Sequence, residues 1–181
     1  NVNVFYAIFT LGAAVVTLLS IDYIKKYGMY FGEYYIILQT SVLGMMLMAG
    51  AKDLFVIFLG LEIMSVSFYI LAGMNRKKAG ANEASLKYFL LGAFATGFIV
   101  YGIALIYGSA HTTSIDFITS NFAELSKNLI FISGVLLFLI GFSFKIAAFP
   151  FHMWVPDVYE GSPTTVAALF STGGKAAAFS A

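Results

Sequence analysis

Apolar residues run along this chain in long blocks, and the polar residues between them fall in short groups. Six blocks approach or reach the roughly 20 apolar residues that a membrane-crossing helix needs. They are Val2–Ser20, Tyr34–Ala51, Asp53–Gly73, Glu83–Gly108, Leu129–Phe149 with a broken continuation, and Pro163–Ala181. The blocks are apolar on all sides, as expected of helices surrounded by lipid or by other helices. One longer connection, 109–128, places Ile118, Phe122 and Leu125 at helical spacing, which predicts a short helix lying at the membrane surface. The fold class predicted is all-α, a polytopic membrane helix bundle of about six spans in a single domain over 1–181.

Boundary signals refine the pattern. Asn82 is placed to cap the fourth helix, with Glu83 in its first turn, and Ser162 followed by Pro163 reads as the start of the sixth. Asp53 reads as a cap at the start of the third. Ala93 with Gly97, and Gly134 with Gly141, predict faces where helices pack closely. Pro150 interrupts the fifth segment, because proline lacks the helix-building N–H and clashes with the preceding turn. Backbone freed at that depth must line a protein interior or a wet cavity. Trp154, the single tryptophan, reads as an interfacial anchor.

Composition sharpens the assignment of solvent. Hydrophobic residues make up 60% of the chain and charged residues only 10%, well below the roughly 25% usual in soluble domains. With no cysteine, thiolate-held zinc, iron–sulfur clusters and disulfides are excluded within these residues. A net charge of +1 with scattered basic residues leaves no nucleic-acid footprint. Lys25, Lys26, Arg76, Lys77 and Lys78 fall on one side of the membrane, against Lys52 and Lys127 on the other, so the first side is cytoplasmic. Both chain ends lie in apolar segments without a leader pattern, which reads as an internal fragment of a longer membrane protein.

Four ionisable residues lie inside the apolar blocks: Glu62, Lys87, Lys145 and Lys175. A charge at mid-membrane costs about 2.5–3.5 kcal/mol on insertion scales, so intramembrane ionisable groups point to function. Glu62 sits near the middle of `LFVIFLGLEIMSVSFYILAG`. Lys175 is similarly deep, after Gly173 and Gly174, which leave room for another backbone or for water. Lys145 precedes the Pro150 break, whereas Lys87 is near enough to a helix end to reach the surface. One acid and two lysines at similar depth suggest a proton relay, because a lysine gives up its proton when desolvated and regains it beside a carboxylate. A structural Glu62–Lys145 ion pair is the simpler alternative. His152, just past the proline, carries protons near neutral pH or sits at the interface. Asp157 and Glu160 read as loop acids or as a proton antenna. No nucleotide-binding glycine pattern or paired-histidine haem geometry is present.

The stretches `DLFVIFLGLEIMSVSFYIL`, `NEASLKYFLLGAFATGFIVYGIALIYG` and `GFSFKIAAFPFHMWVPDVYEGSPTTVAALFSTGGKAAA` resemble the antiporter-like subunits of proton-pumping NADH:quinone oxidoreductase, respiratory complex I. Leu61 before Glu62, the phrase `VPDVYEGSPTTV` and Lys175 are similar to the N type among them. The resemblance implies a fourteen-helix core of two inverted repeats, of which this chain would cover the third to eighth helices and only the first repeat, roughly 34–181. It implies that Glu62 and Lys145 form the acid–lysine pair, that Lys175 is the central lysine, and that Lys87 and His152 lie on the polar axis. It also implies a proton-translocating subunit with no cofactor of its own. Quinone, FMN and iron–sulfur clusters would belong to other subunits, with membrane subunits and lipid as partners, in a bacterial plasma membrane. An Mrp-type cation/proton antiporter subunit, or a non-pumping membrane scaffold, are the alternatives.

Overall fold

A computed structural model describes residues 2–29 and 31–181, with the Phe31 side chain excluded. Every extended element among them is helical. They are α1 (Val2–Tyr27), α2 (Phe31–Gly50), α3 (Leu54–Ala72), α4 (Ala79–Ala110), α5 (Ile115–Ser120), α6 (Phe122–Leu125), α7 (Leu129–Lys145), α8 (Val155–Gly161), α9 (Thr164–Leu169) and α10 (Lys175–Ser180), with a π turn over Phe170–Gly174. Three of the described helices, α1, α3 and α4, are both long and apolar enough to cross a membrane. Helix α2 has 20 residues and α7 is a shorter apolar helix of 17. The sixth predicted span is the run α9, π turn and α10.

Two pairs of helices form the most extensive contacts, α4 with α7 and α2 with α3. Each pair crosses where glycines face each other. A Cβ on Gly44 would lie 2.6 Å from the Gly60 carbonyl oxygen, and one on Gly102 would lie 2.7 Å from that of Gly134. In lipid, where burial of apolar surface gives little drive, such close backbone approach supplies the van der Waals contact that holds helices together. The expected contact at Gly134 and Gly141 is therefore present. Gly97 differs from expectation: nothing lies within 4 Å of its Cβ position, and with Ala93, Phe94 and Tyr101 it lines a groove on the outside of the bundle.

Caps agree with the sequence in one place and differ in two. Asp53 accepts a hydrogen bond from the Phe55 amide at 2.8 Å and another from the Thr113 hydroxyl at 2.6 Å, so it caps α3 and ties down the incoming loop. Helix α4 begins earlier than expected, with Lys78 at its N-cap. Asn82 lies inside that helix and donates to the Arg76 carbonyl instead. Ser162 ends α8 rather than capping α9 with its side chain. The surface helix over 109–128 is two short helices, α5 and α6, meeting at Asn121.

The break in the fifth segment comes earlier than Pro150. Helix α7 ends at Lys145, and Ala147 adopts a left-handed backbone, with φ +59°. That conformation costs a non-glycine residue about 1–2 kcal/mol and turns the chain out of the helix before the proline is reached. Turns then lead through Pro150 to α8. The break thus puts Lys145 at the end of its helix, where its backbone carbonyl has no partner further along.

Candidate functional site

The centre of the site is the Lys145 ammonium, only 8% exposed. It donates to Ser65 Oγ at 2.9 Å and to Tyr69 OH at 3.0 Å, both on α3. Ser65 and Tyr69 follow Glu62 by three and seven residues, so all three share one face of that helix. Glu62 is half-buried and its Oε1 lies 2.8 Å from the Thr96 hydroxyl on α4. Thr96 also lies 3.0 Å from the Gly92 carbonyl, so its single proton serves one acceptor at a time. The Tyr69 hydroxyl rests directly against Gly92, where any side chain would displace it.

Glu62 and Lys145 are therefore neighbours but not bonded. Ion pairs between described residues join Lys87 to Glu83 and Asp157, and the acid–lysine pair is not among them. Glu62 stands one helical turn from Ser65, the hydroxyl that the Lys145 ammonium bonds. A bonded pair was one expectation from the sequence. The geometry instead parks each charge on neutral hydroxyl groups, one helical turn apart.

A second layer holds the broken helix in place. Trp154 is 3% exposed, so it is a core residue and not the interfacial anchor expected of a lone tryptophan. Its Nε1 donates to the Phe144 carbonyl at 3.1 Å, giving an acceptor that already holds the Ala147 amide at 3.1 Å a second donor and tying the turns after α7 back to its end. Its ring stacks on Tyr88 of α4, with centroids 4.6 Å apart and planes 12° apart. Trp154→Phe keeps the ring and loses the N–H, so about 1 kcal/mol of stability should go with that hydrogen bond. Thermal unfolding of the purified complex, followed by the release of this subunit, checks it.

The other predicted residues lie apart from this centre. Lys87 is 44% exposed and bonds Asp157 and Glu83, each at 2.7 Å. It therefore reaches the surface, as its position near a helix end allowed, and ties α4 to α8. Lys78 adds a bond from its ammonium to the Glu160 carbonyl at 3.1 Å. His152 is exposed in the turns after Pro150, with its ring 5.7 Å from that of Phe149. Lys175 is half-buried at the start of α10, immediately after the π turn. π turns inside helices are frequent at functional sites. The room expected at Gly174 is occupied by the Phe68 ring, 2.7 Å from its Cβ position.

Sequence reading missed Ser65, Tyr69 and Thr96 because hydroxyls in apolar helices commonly bond their own backbone. The spacing of Ser65 and Tyr69 from Glu62 was the available signal.

Residues 51–181 match the family model described as NADH:quinone oxidoreductase/Mrp antiporter, TM. The chain belongs to this family. Over 179 residues it is 52% identical to NADH-quinone oxidoreductase subunit N of Trichlorobacter lovleyi, covering 98% of this chain and 37% of that protein. Subunit N 1 of Chloroherpeton thalassium is 51% identical over 173 residues, covering 96% of this chain and 36% of the relative. Among solved structures, respiratory complex I from Thermus thermophilus with bound aureothin matches with a TM-score of 0.82 and 35% identity, over 99% of this chain and 38% of that one. The chain thus spans little more than a third of the length of these relatives. Within the antiporter family fold, the Lys145 site lies where α3, α4 and the end of α7 converge.

Proposed function

We propose that this chain translocates protons through a buried acid–lysine relay, as part of a multi-subunit NADH:quinone oxidoreductase. Glu62, Lys145 and Lys175 carry the relay, and Lys87 and His152 serve as outlying members. The driving reaction, quinone reduction, belongs to other subunits, which also hold the flavin and iron–sulfur clusters. This chain needs no cofactor of its own. The partners are further membrane subunits and the lipid of a bacterial plasma membrane, and residues 34–181 form the first of two inverted repeats.

One observation carries this reading: a buried ammonium is held by two neutral hydroxyls beside a carboxylate that it does not touch. A pair kept only to fasten helices would be bonded, because an unpaired buried charge is strongly destabilising. A pair that opens and closes instead changes the proton affinity of its lysine. A change of two pKa units is worth about 2.7 kcal/mol. Moving one charge against 100 mV costs about 2.3 kcal/mol. The two are of similar size, so approach and separation of the pair is sufficient for one pumping step. A second reading, an Mrp-type cation/proton antiporter subunit, rests on the family description, which names both systems.

The test is Glu62→Gln in the assembled complex, keeping size and the hydrogen bond from Thr96. Proton uptake by sealed vesicles should fall sharply while the subunit content stays at the parent level. Normal uptake at the parent rate of donor oxidation would leave the carboxylate a structural role only.

A further inference from the structure

A single hydroxyl holds Glu62 in place. Among the described residues its carboxylate has one hydrogen-bond partner, Thr96 on α4, whose Oγ1 lies 2.8 Å from Oε1. Thr10, Thr40 and Thr172, by contrast, donate only to carbonyls of their own helices, three or four residues back. Thr96 has that outlet too, with the Gly92 carbonyl at 3.0 Å. It differs in facing, at the same time, a carboxylate of the neighbouring helix.

Two acceptors give Thr96 three arrangements, and its hydroxyl donates in each. An ionised Glu62 only accepts, so the threonine proton points to it, and a charged acceptor outcompetes a neutral carbonyl. With Glu62 protonated the bond reverses: the acid donates to Oγ1, and Thr96 donates to the Gly92 carbonyl. That carbonyl takes the backbone bond of α4 on one lone pair and keeps the second for the hydroxyl. With Glu62 turned away to Lys145, Thr96 keeps its bond to Gly92, so no donor is orphaned. Gly92 serves the other charge as well. Its bare Cα seats the Tyr69 hydroxyl, which accepts from the Lys145 ammonium. One turn of α4 therefore supports both members of the acid–lysine pair.

We propose that Thr96, backed by the Gly92 carbonyl, is a positioning residue that seats Glu62 apart from Lys145 in either charge state and releases it without leaving an unpaired hydroxyl. This inference rests on the relay reading given above. Thr96 neither gains nor loses a proton: it only redirects its own, and it acts through Glu62. A hydrogen bond to a charged group biases an equilibrium by about tenfold or more. Without the hydroxyl, the open arrangement loses that bias and the acid stays with the lysine.

The experiment compares Thr96→Val, Thr96→Ser, Glu62→Gln and the double variant Thr96→Val with Glu62→Gln, in sealed vesicles containing equal amounts of assembled complex. Valine keeps the shape and removes the hydroxyl, whereas serine keeps the hydroxyl and removes the methyl. Thr96→Val should lower the protons taken up per donor oxidised severalfold, and Thr96→Ser should recover most of the parent ratio. The double variant should match Glu62→Gln alone, because the threonine acts only through the acid. Parent pumping by Thr96→Val, with Glu62→Gln impaired, would overturn the assignment and leave the relay standing. So would impaired Thr96→Ser beside a normal Thr96→Val, the pattern of a space-filling residue, or a further loss in the double variant. Parent pumping by Glu62→Gln would remove the relay reading and this inference with it. If Thr96→Val does not assemble, Thr96→Cys, similar in size with a much weaker donor, is read in the same way.

Discussion

Replacing Lys145 by arginine stops pumping although the positive charge is kept. The ammonium sits between Ser65 Oγ and Tyr69 OH at 2.9 and 3.0 Å, a pocket for a small cation with neutral partners. Arginine brings a planar fork that seeks bidentate carboxylate partners, and it keeps its proton up to about pH 12 or beyond. Reaching Glu62 would give it such a partner and lock the pair shut. A helix-fastening pair would gain from that bond, whereas a proton carrier would fail. Quinone-reductase activity in membranes holding equal amounts of complex should therefore drop to the level of the Ala variant. The same substitution at Lys175 should be damaging for the same reason, since guanidinium cannot hand its proton on.

Gly134→Leu should sharply reduce assembly. A Cβ at Gly134 would already lie 2.9 Å from the Gly102 carbonyl oxygen and 2.9 Å from the Ile106 amide nitrogen. Both are backbone atoms of a helix and neither can rotate away. Overpacking a well-filled interior typically costs 1–3 kcal/mol and occasionally more, and here a whole side chain must enter between two helices, so about 3 kcal/mol or more is expected. Separating α4 from α7 also draws the end of α7, whose Phe144 carbonyl Trp154 bonds, away from Tyr88 of α4. The amount of complex isolated from membranes, by native gel, should fall strongly. Gly97→Leu, on the partner helix α4, is the matched control, because nothing lies within 4 Å of that position. It should assemble close to the parent level.

The bundle was legible because lipid imposes one simple rule, that spanning segments be apolar and helical, and long apolar runs display it directly. Glu62, Lys145 and Lys175 were legible because charge in such a run is rare and costly. What escaped depended on three-dimensional partners. Trp154 has the composition of an anchor and the position of a core residue, and only the stacked Tyr88 and the Phe144 carbonyl reveal the difference. Pro150 marked a break, but Ala147 turns the chain first, and a single left-handed alanine leaves no signature in sequence. Asn82 looked like a cap until the helix began four residues earlier. The π turn at Phe170–Gly174 likewise depends on how Phe68 and Met45 pack against Gly174 and Gly173. Hydroxyls were the largest omission, because a serine or threonine in a helix can satisfy itself locally. Their role appears only when the helices are assembled around them.

Proton exchange at the buried lysine is tested most directly by the number of protons translocated per donor oxidised. It is measured in sealed vesicles of parent, Lys145→Ala and Lys145→Arg complexes matched for assembly. The account predicts that the ratio falls in both variants by the same amount, because neither side chain binds and releases a proton at that site. A Lys145→Arg complex that pumps with the parent ratio would show that only the charge matters, and would contradict proton exchange at Lys145.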